Sequence, residues 1–264
     1  MADVTLEVED GIGCLTLRRP LSRHALDARF VEDAVAALDG RPGGIRALVV
    51  TAEGPTFCVG AELGMFHRAA AAGRVDADVG PLLVAMHVIA RRLRALPVPT
   101  VAAVEGAAAG AGVGLACACD LRVVGRSTVF VPAFCAIGLS PDSGTSYHLT
   151  RALGGPAANA AFLRNRRIPA AELLARGLAD EVAPDGEVRA AATRLAAEVA
   201  GASPAALLAT RRLVDAAPGH SLDDHLDLEQ AAIRNLWNGA DVAEGLAAAL
   251  EKRRPAFPGA AARP

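Results

Sequence analysis

Apolar and polar positions change period several times along the chain, and each change marks an element. Val4 to Leu17 alternates and breaks at Asp10-Gly11-Ile12-Gly13, predicting a hairpin of two short strands around a Gly-rich turn. Residues 27–38 carry apolar side chains at helical spacing and stop at Gly40-Arg41-Pro42-Gly43-Gly44. Arg46-Ala47-Leu48-Val49-Val50-Thr51 then reads as a buried-type strand. A second helix is predicted over 79–96, ended by Pro97-Val98-Pro99, with Thr100-Val101-Ala102-Ala103-Val104 as the next buried strand. Past the turn at Gly106, the small residues of 112–118 suit a short buried helix, and Leu121-Arg122-Val123-Val124 and Thr128-Val129-Phe130 restore strand character. Helical segments around 157–163, 170–176 and 188–200 close the body, and from Pro204 onward the pattern is almost wholly helical. Such alternation gives an α/β class with a helical C-terminal part. Residues 222–250 present many Leu and Ile positions and Trp237 on a tail with little core of its own. Either that tail packs on neighbouring subunits or it folds back on its own body.

Composition narrows this picture. At 264 residues the chain is long enough for one large single-core body with an appendage. Hydrophobic residues make up 52% but aromatic ones only 3%, so the core is built from Ala, Val and Leu in close contact. A formal charge of −2 argues against a nucleic-acid partner while leaving room for one local anion site. The opening Met1-Ala2-Asp3-Val4-Thr5 has neither a basic region nor an apolar signal core, and no stretch supplies the ~18 continuous apolar residues of a membrane span. A soluble, cytoplasmic protein with no membrane partner is the expectation. Cys14, Cys58, Cys117, Cys119 and Cys135 lie in apolar surroundings and are expected as reduced, buried thiols; no Cys/His pattern completes a zinc site around Cys117 and Cys119.

Several segments then fall in a telling order: Arg18-Arg19-Pro20 with His24-Ala25-Leu26; Thr56-Phe57-Cys58-Val59-Gly60-Ala61-Glu62-Leu63; Val101 to Gly106 through Gly110-Ala111-Gly112 to Cys119-Asp120-Leu121-Arg122; Gly138-Leu139-Ser140-Pro141-Asp142-Ser143-Gly144; and Lys252-Arg253-Arg254-Pro255-Ala256-Phe257. Together they resemble the enoyl-CoA hydratase/isomerase (crotonase) superfamily over nearly the whole chain. The resemblance implies an α/β spiral of repeated β-β-α units over residues 1–200, a C-terminal α-helical trimerisation region over 201–264, and a homotrimer or dimer of trimers. It also implies an acyl-CoA thioester as substrate, with CoA belonging to the substrate and no separate cofactor.

Family chemistry of this kind needs two backbone N–H donors around the thioester oxygen, because the negative charge of the enolate develops there. Matching the motifs places these donors at Ala61 and Ala111. Gly60 permits an unusual turn before Ala61, and Gly110 and Gly112 flank Ala111 where a strand gives way to a helix, although close helix–strand packing also accounts for these glycines. The resemblance further implies substrate contacts from Glu62, Leu63, Gly64 and Gly110, and CoA contacts from Arg23, Ala25, Lys252 and Phe257. Glu62 is expected chiefly to fix its loop, and the basic residues Arg18, Arg19, Arg23 and Lys252 either meet CoA or are solvated surface charge. Residues 66–80 are expected to cover the acyl pocket.

Hydratases of this family flank the double bond with two glutamates, whose places here are Gly114 and Phe134. Neither transfers a proton. Asp142 remains, and Ser140-Pro141-Asp142-Ser143-Gly144 resembles the branch that uses a single acid, including epoxyphenylacetyl-CoA and enoyl-CoA isomerases. An apolar wall including Phe134 is expected to raise the pKa of that acid. An aspartate after proline also serves as a turn or helix cap. Tyr147 is a further candidate for the acyl pocket, whereas His67 and His148 fit structural or surface positions. Hydration through Asp142 alone and a non-catalytic CoA-binding role are the alternatives. A dinucleotide site fails at Leu115, where the third glycine belongs, and a serine-hydrolase elbow fails after Ser140.

Overall fold

The computed structural model describes residues 2–257. The chain runs β1 (Val4–Glu9), β2 (Ile12–Leu17), α1 (Ala28–Asp39), β3 (Ala47–Ala52), α2 (Leu63–Ala71), α3 (Val75–Asp78), α4 (Gly80–Ala95), β4 (Thr100–Val104), β5 (Ala107–Ala109), α5 (Ala111–Cys117), β6 (Leu121–Gly125) and β7 (Val129–Val131). It continues through α6 (Thr145–Leu153), α7 (Gly155–Leu163), β8 (Ile168–Pro169), α8 (Ala170–Ala175), β9 (Glu181–Ala183), α9 (Val188–Ala200), α10 (Pro204–Ala216), α11 (Leu222–Leu236) and α12 (Ala240–Glu251).

The opening hairpin forms because Asp10 and Gly11 both take left-handed backbone angles, the geometry that lets a tight turn follow the twist of its two strands. Beyond it the sheet becomes parallel, in the order β1-β2-β3-β4-β6-β9, while β5, β7 and β8 build a second, smaller sheet. Successive turns of the chain place one strand in each sheet: β3 is followed by a bridge from Cys58 to Ala108, β4 by β5, and β6 by β7. This is the β-β-α spiral expected.

The apolar run of β3 belongs to two cores. Leu48 and Val50 point into the larger one with α1, α4 and α5, while Ala47 and Val49 point to the opposite face, where Ala191, Ala192 and Ala196 of α9 cover the sheet. Alanine on that helix allows the close approach that a chain poor in aromatic residues requires. Asp27 caps α1, accepting a hydrogen bond from the Phe30 N–H at 3.0 Å.

Strands β5, β8 and β9 and helices α2, α3 and α6 are not among the predicted elements: the strands are two or three residues long and follow tertiary pairing, whereas α6 buries Thr145, Leu149 and Leu153 at a helical spacing that the sequence does carry. Residues 66–80, expected only as a cover, fold into α2 and α3. Cys58, Cys117 and Cys119 are buried and Cys14 is half-buried, but Cys135 is exposed, on the loop that follows β7. Helices α10–α12 form the C-terminal part and leave Leu222, Leu226, Ile233, Trp237, Leu246 and Leu250 exposed within one chain. Among the described residues no helix is long and apolar enough to cross a membrane.

Candidate active site

At the start of α5, a cavity of about 370 Å³ opens between the Ala61 segment, helices α2 to α4 and the loop carrying Asp142. Ala61, Ala111 and Asp142 all line it. Three positions far apart in sequence thus share one wall.

The amide of Ala61 is freed by strand geometry. Leu26 N–H donates to the Gly60 carbonyl at 2.8 Å and Glu62 N–H to the Leu26 carbonyl at 3.1 Å. Alternation along an extended segment turns the intervening Ala61 N–H to the other side. Ala111 is the first residue of α5, where no preceding helical carbonyl exists to accept its N–H. Among the described residues neither N–H has a hydrogen-bond acceptor. Gly60 holds them together: its φ is +84°, and a Cβ there would lie 3.2 Å from the Ala111 nitrogen and 2.8 Å from the Ala109 carbonyl oxygen. Only glycine permits both that conformation and that approach.

Asp142 sits on the loop before α6. The helix begins without a side-chain cap, so the carboxylate is not spent on the capping use open to it in sequence. Its Oδ1 is buried with no hydrogen-bond partner among the described residues. Burial pushes its pKa up, partly offset by the neighbouring Ser143 side chain and then by the nearby His87 ring. The apolar surroundings come from Leu82, Leu83 and Met86 of α4 and from Leu139, not from Phe134. Phe134 is buried behind the cavity, its ring 3.8 Å from where a Gly110 Cβ would stand.

The remaining expected residues divide. Glu62 caps α2, accepting from Gly64 N–H at 2.9 Å and Met65 N–H at 2.5 Å, and pairs with Arg68 at 3.3 Å. Leu63 and Gly64 open that helix, whose Phe66 reaches the cavity. Arg23 and Ala25 lie beside the Ala61 segment, the Arg23 carbonyl accepting from Val59 N–H at 3.2 Å. Arg18 and Arg19 are committed to Glu53 and Asp27, whereas Arg23 is exposed and makes no ion pair among the described residues. Gly110 has a φ of +52° and its carbonyl accepts from the Thr145 hydroxyl at 3.3 Å. Lys252 closes α12, and Phe257 lines a separate cavity between α10, α11 and α12; neither reaches the Ala61 cavity.

Tyr147 does not line the acyl-sized cavity. It is exposed, with the Arg151 guanidinium 5.1 Å from its ring centre. His67 is exposed, and His148 is half-buried among Arg122, Arg94 and Arg151, with burial and those cations pulling its pKa down to about 4. Sequence reasoning passed over His87, which lines the cavity from α4; its signal was its place one turn after Leu83, beside the buried Leu82, Met86 and Ile89.

A family model described as enoyl-CoA hydratase/isomerase matches residues 7–260. The chain belongs to the enoyl-CoA hydratase/isomerase family. A Rhodobacter capsulatus protein named "Probable enoyl-CoA hydratase" is 36% identical over 97% of this chain and 98% of its own length. The Escherichia coli 1,2-epoxyphenylacetyl-CoA isomerase is 32% identical, over 98% and 99% of the two chains. Among solved structures, an enoyl-CoA hydratase from Polaromonas sp. JS666 superposes with a TM-score of 0.89 at 34% identity, covering 96% of this chain and 99% of that one. The crotonase-type α/β fold is therefore that of the enoyl-CoA hydratase/isomerase family, and an acyl-CoA thioester is consistent with membership in it. Hydratases and isomerases both stand among these relatives.

Proposed function

We propose that this enzyme shifts a carbon–carbon double bond within the acyl group of a CoA thioester. The observation that carries the reading is the pairing of one carboxylate, Asp142, with the free N–H groups of Ala61 and Ala111 on a single cavity. At the two places where family hydratases hold glutamates stand Gly114 and the buried Phe134. In the proposed reaction the thioester oxygen sits between the two N–H donors, and Asp142 takes a proton from a carbon conjugated to it. Charge spreads onto that oxygen, where preorganised donors meet it without solvent rearrangement. Return of a proton at the far end of the three-carbon unit completes the shift.

Arg23, Ala25 and Gly110 would hold the CoA and thioester end, Glu62, Leu63 and Gly64 would hold the Ala61 segment and the start of α2 in place beside the acyl cavity, and CoA is part of the substrate, so no separate cofactor enters. Lys252 and Phe257 would contribute to a CoA site only across subunits, which accords with a homotrimer or a dimer of trimers built on the exposed faces of α11 and α12. Such an enzyme would work in the cytoplasm.

The test is a panel of unsaturated acyl-CoA thioesters incubated in ¹⁸O-labelled water and read by mass spectrometry. The expected product has unchanged mass and a moved double bond. Incorporation of labelled oxygen would replace the reading by hydration, and binding without conversion by a non-catalytic role.

A further inference from the structure

His87 is one of two ionisable groups that accompany Asp142 on the cavity wall; the other, Asp76 of α3, is exposed at the rim. The remaining lining side chains from α2, α3, α4 and the 139–141 segment are uncharged, so apart from the exposed Asp76 the wall contains one carboxylate and one imidazole. His87 is half-buried on α4 and projects from the same helix as Leu83 and Met86, whereas Asp142 arrives on the loop before α6. The two groups therefore reach one space from different elements. No hydrogen bond to protein ties up the His87 ring among the described residues. A polar ring placed in an apolar wall and left without a protein partner is available to a ligand.

We propose that His87 is a second proton-transfer group of this site, giving a proton to one end of the substrate's three-carbon unit after Asp142 has taken a proton from the other. The inference rests on the double-bond shift proposed above and assigns its second step. In the first step the C–H electron pair flows into the conjugated system and the thioester oxygen gains negative charge, while Asp142 becomes a carboxylic acid. In the second, electrons return from that oxygen to form the new double bond, and the His87 imidazolium N–H proton forms the new C–H bond, leaving neutral imidazole. Solvent then takes the proton from Asp142 and supplies one to His87. No oxidant or further reactant is needed. This division of labour also removes a geometric demand, since one carboxylate no longer has to reach both carbons.

The test has two arms. With an accepted enoyl-CoA, the kcat profile of the wild type should be bell-shaped, with an acidic limb from Asp142 and a basic limb from His87. His87→Asn and His87→Ala should lower kcat about a hundredfold with little change in KM and should abolish the basic limb. A residue that merely packs would leave the limb in place, and a variant with that limb intact and kcat within about twofold of wild type overturns the proposal. The second arm needs no turnover: the ¹³C carboxyl signal of Asp142, assigned by its loss in Asp142→Asn, should titrate at higher pH in His87→Ala because a favourable neighbour is gone. An unmoved titration overturns the pairing. If wild type converts no enoyl-CoA while this titration moves, the double-bond reading falls and the pairing of His87 with Asp142 stands.

Discussion

The Cα of Gly114 packs against the backbone of Ser143 so closely that a Cβ there would lie 2.3 Å from the Ser143 carbonyl oxygen. The loop carrying Asp142 thus fills the space beside Gly114, on a helix in which every residue from Ala111 to Cys117 is buried. Gly114→Glu will not recover a two-glutamate hydratase. It should cost at least about 2 kcal/mol of stability by overpacking and displace Asp142. Chemical denaturation together with an assay for added water checks both parts; a stable, hydrating Gly114→Glu variant would show that the loop yields easily.

Asp142→Asn separates activity from stability. Loss of the carboxylate should lower turnover by about a hundredfold or more while leaving acyl-CoA binding close to wild type. Because burial raises the folded-state pKa, the folded protein holds the Asp142 proton more tightly than the unfolded chain does. Its contribution to stability is full below the unfolded pKa and is lost as pH rises through the folded one. At neutral pH the buried charge is therefore a burden, and Asp142→Asn should be more stable than wild type, the gain vanishing in acid. Urea unfolding at pH 7 and again below pH 4 measures this. Equal stability at both values would contradict the burial of the carboxylate.

The long periodic elements were legible in sequence because each buries a face whose spacing repeats: 100–104 and 188–200 match β4 and α9 residue for residue. The site was legible in a different way. In the proposed reaction Ala61 and Ala111 would act through backbone, so no side-chain chemistry marks them, and ordered motifs pointed to them where physical pattern alone left tight packing equally open. Asp142 stood out once Gly114 and Phe134 were read as losses. His87 did not, because a histidine on a helix flanked by apolar residues carries no visible partner until α4 meets the loop before α6. Short pieces such as β8, two residues long, exist through pairing with β7 and leave no local trace.

Gly60→Ala tests the N–H pair itself. A methyl group at a φ of +84° is strained by about 1–2 kcal/mol, and at 2.8 Å it would push on the Ala109 carbonyl. Relief of that clash moves the Ala61 and Ala111 amides apart. If those donors serve the charged oxygen more than the ground-state thioester, kcat falls by about a hundredfold and KM changes much less. Unchanged kinetics in a folded Gly60→Ala variant would mean that the pair is not where charge develops.

On α11 and its C-terminal cap the exposed Leu222, Leu226, Ile233 and Trp237 recur at steps that keep them within an arc of about 60° on the helix. A stripe this narrow is what a helix presents to a partner, and a single chain leaves it in water, with Trp237 52% exposed and Leu250 of α12 85% exposed. If that stripe is the assembly face, sedimentation of the wild type gives a trimer or hexamer. Ile233→Glu then puts a charge into the centre of the contact and should yield monomers with unchanged helical content. It should also weaken CoA binding, because Lys252 and Phe257 would no longer meet the Ala61 cavity of a neighbour. A wild type that sediments as a monomer, or an Ile233→Glu variant that assembles and binds normally, would place the apolar stripe outside the subunit contact.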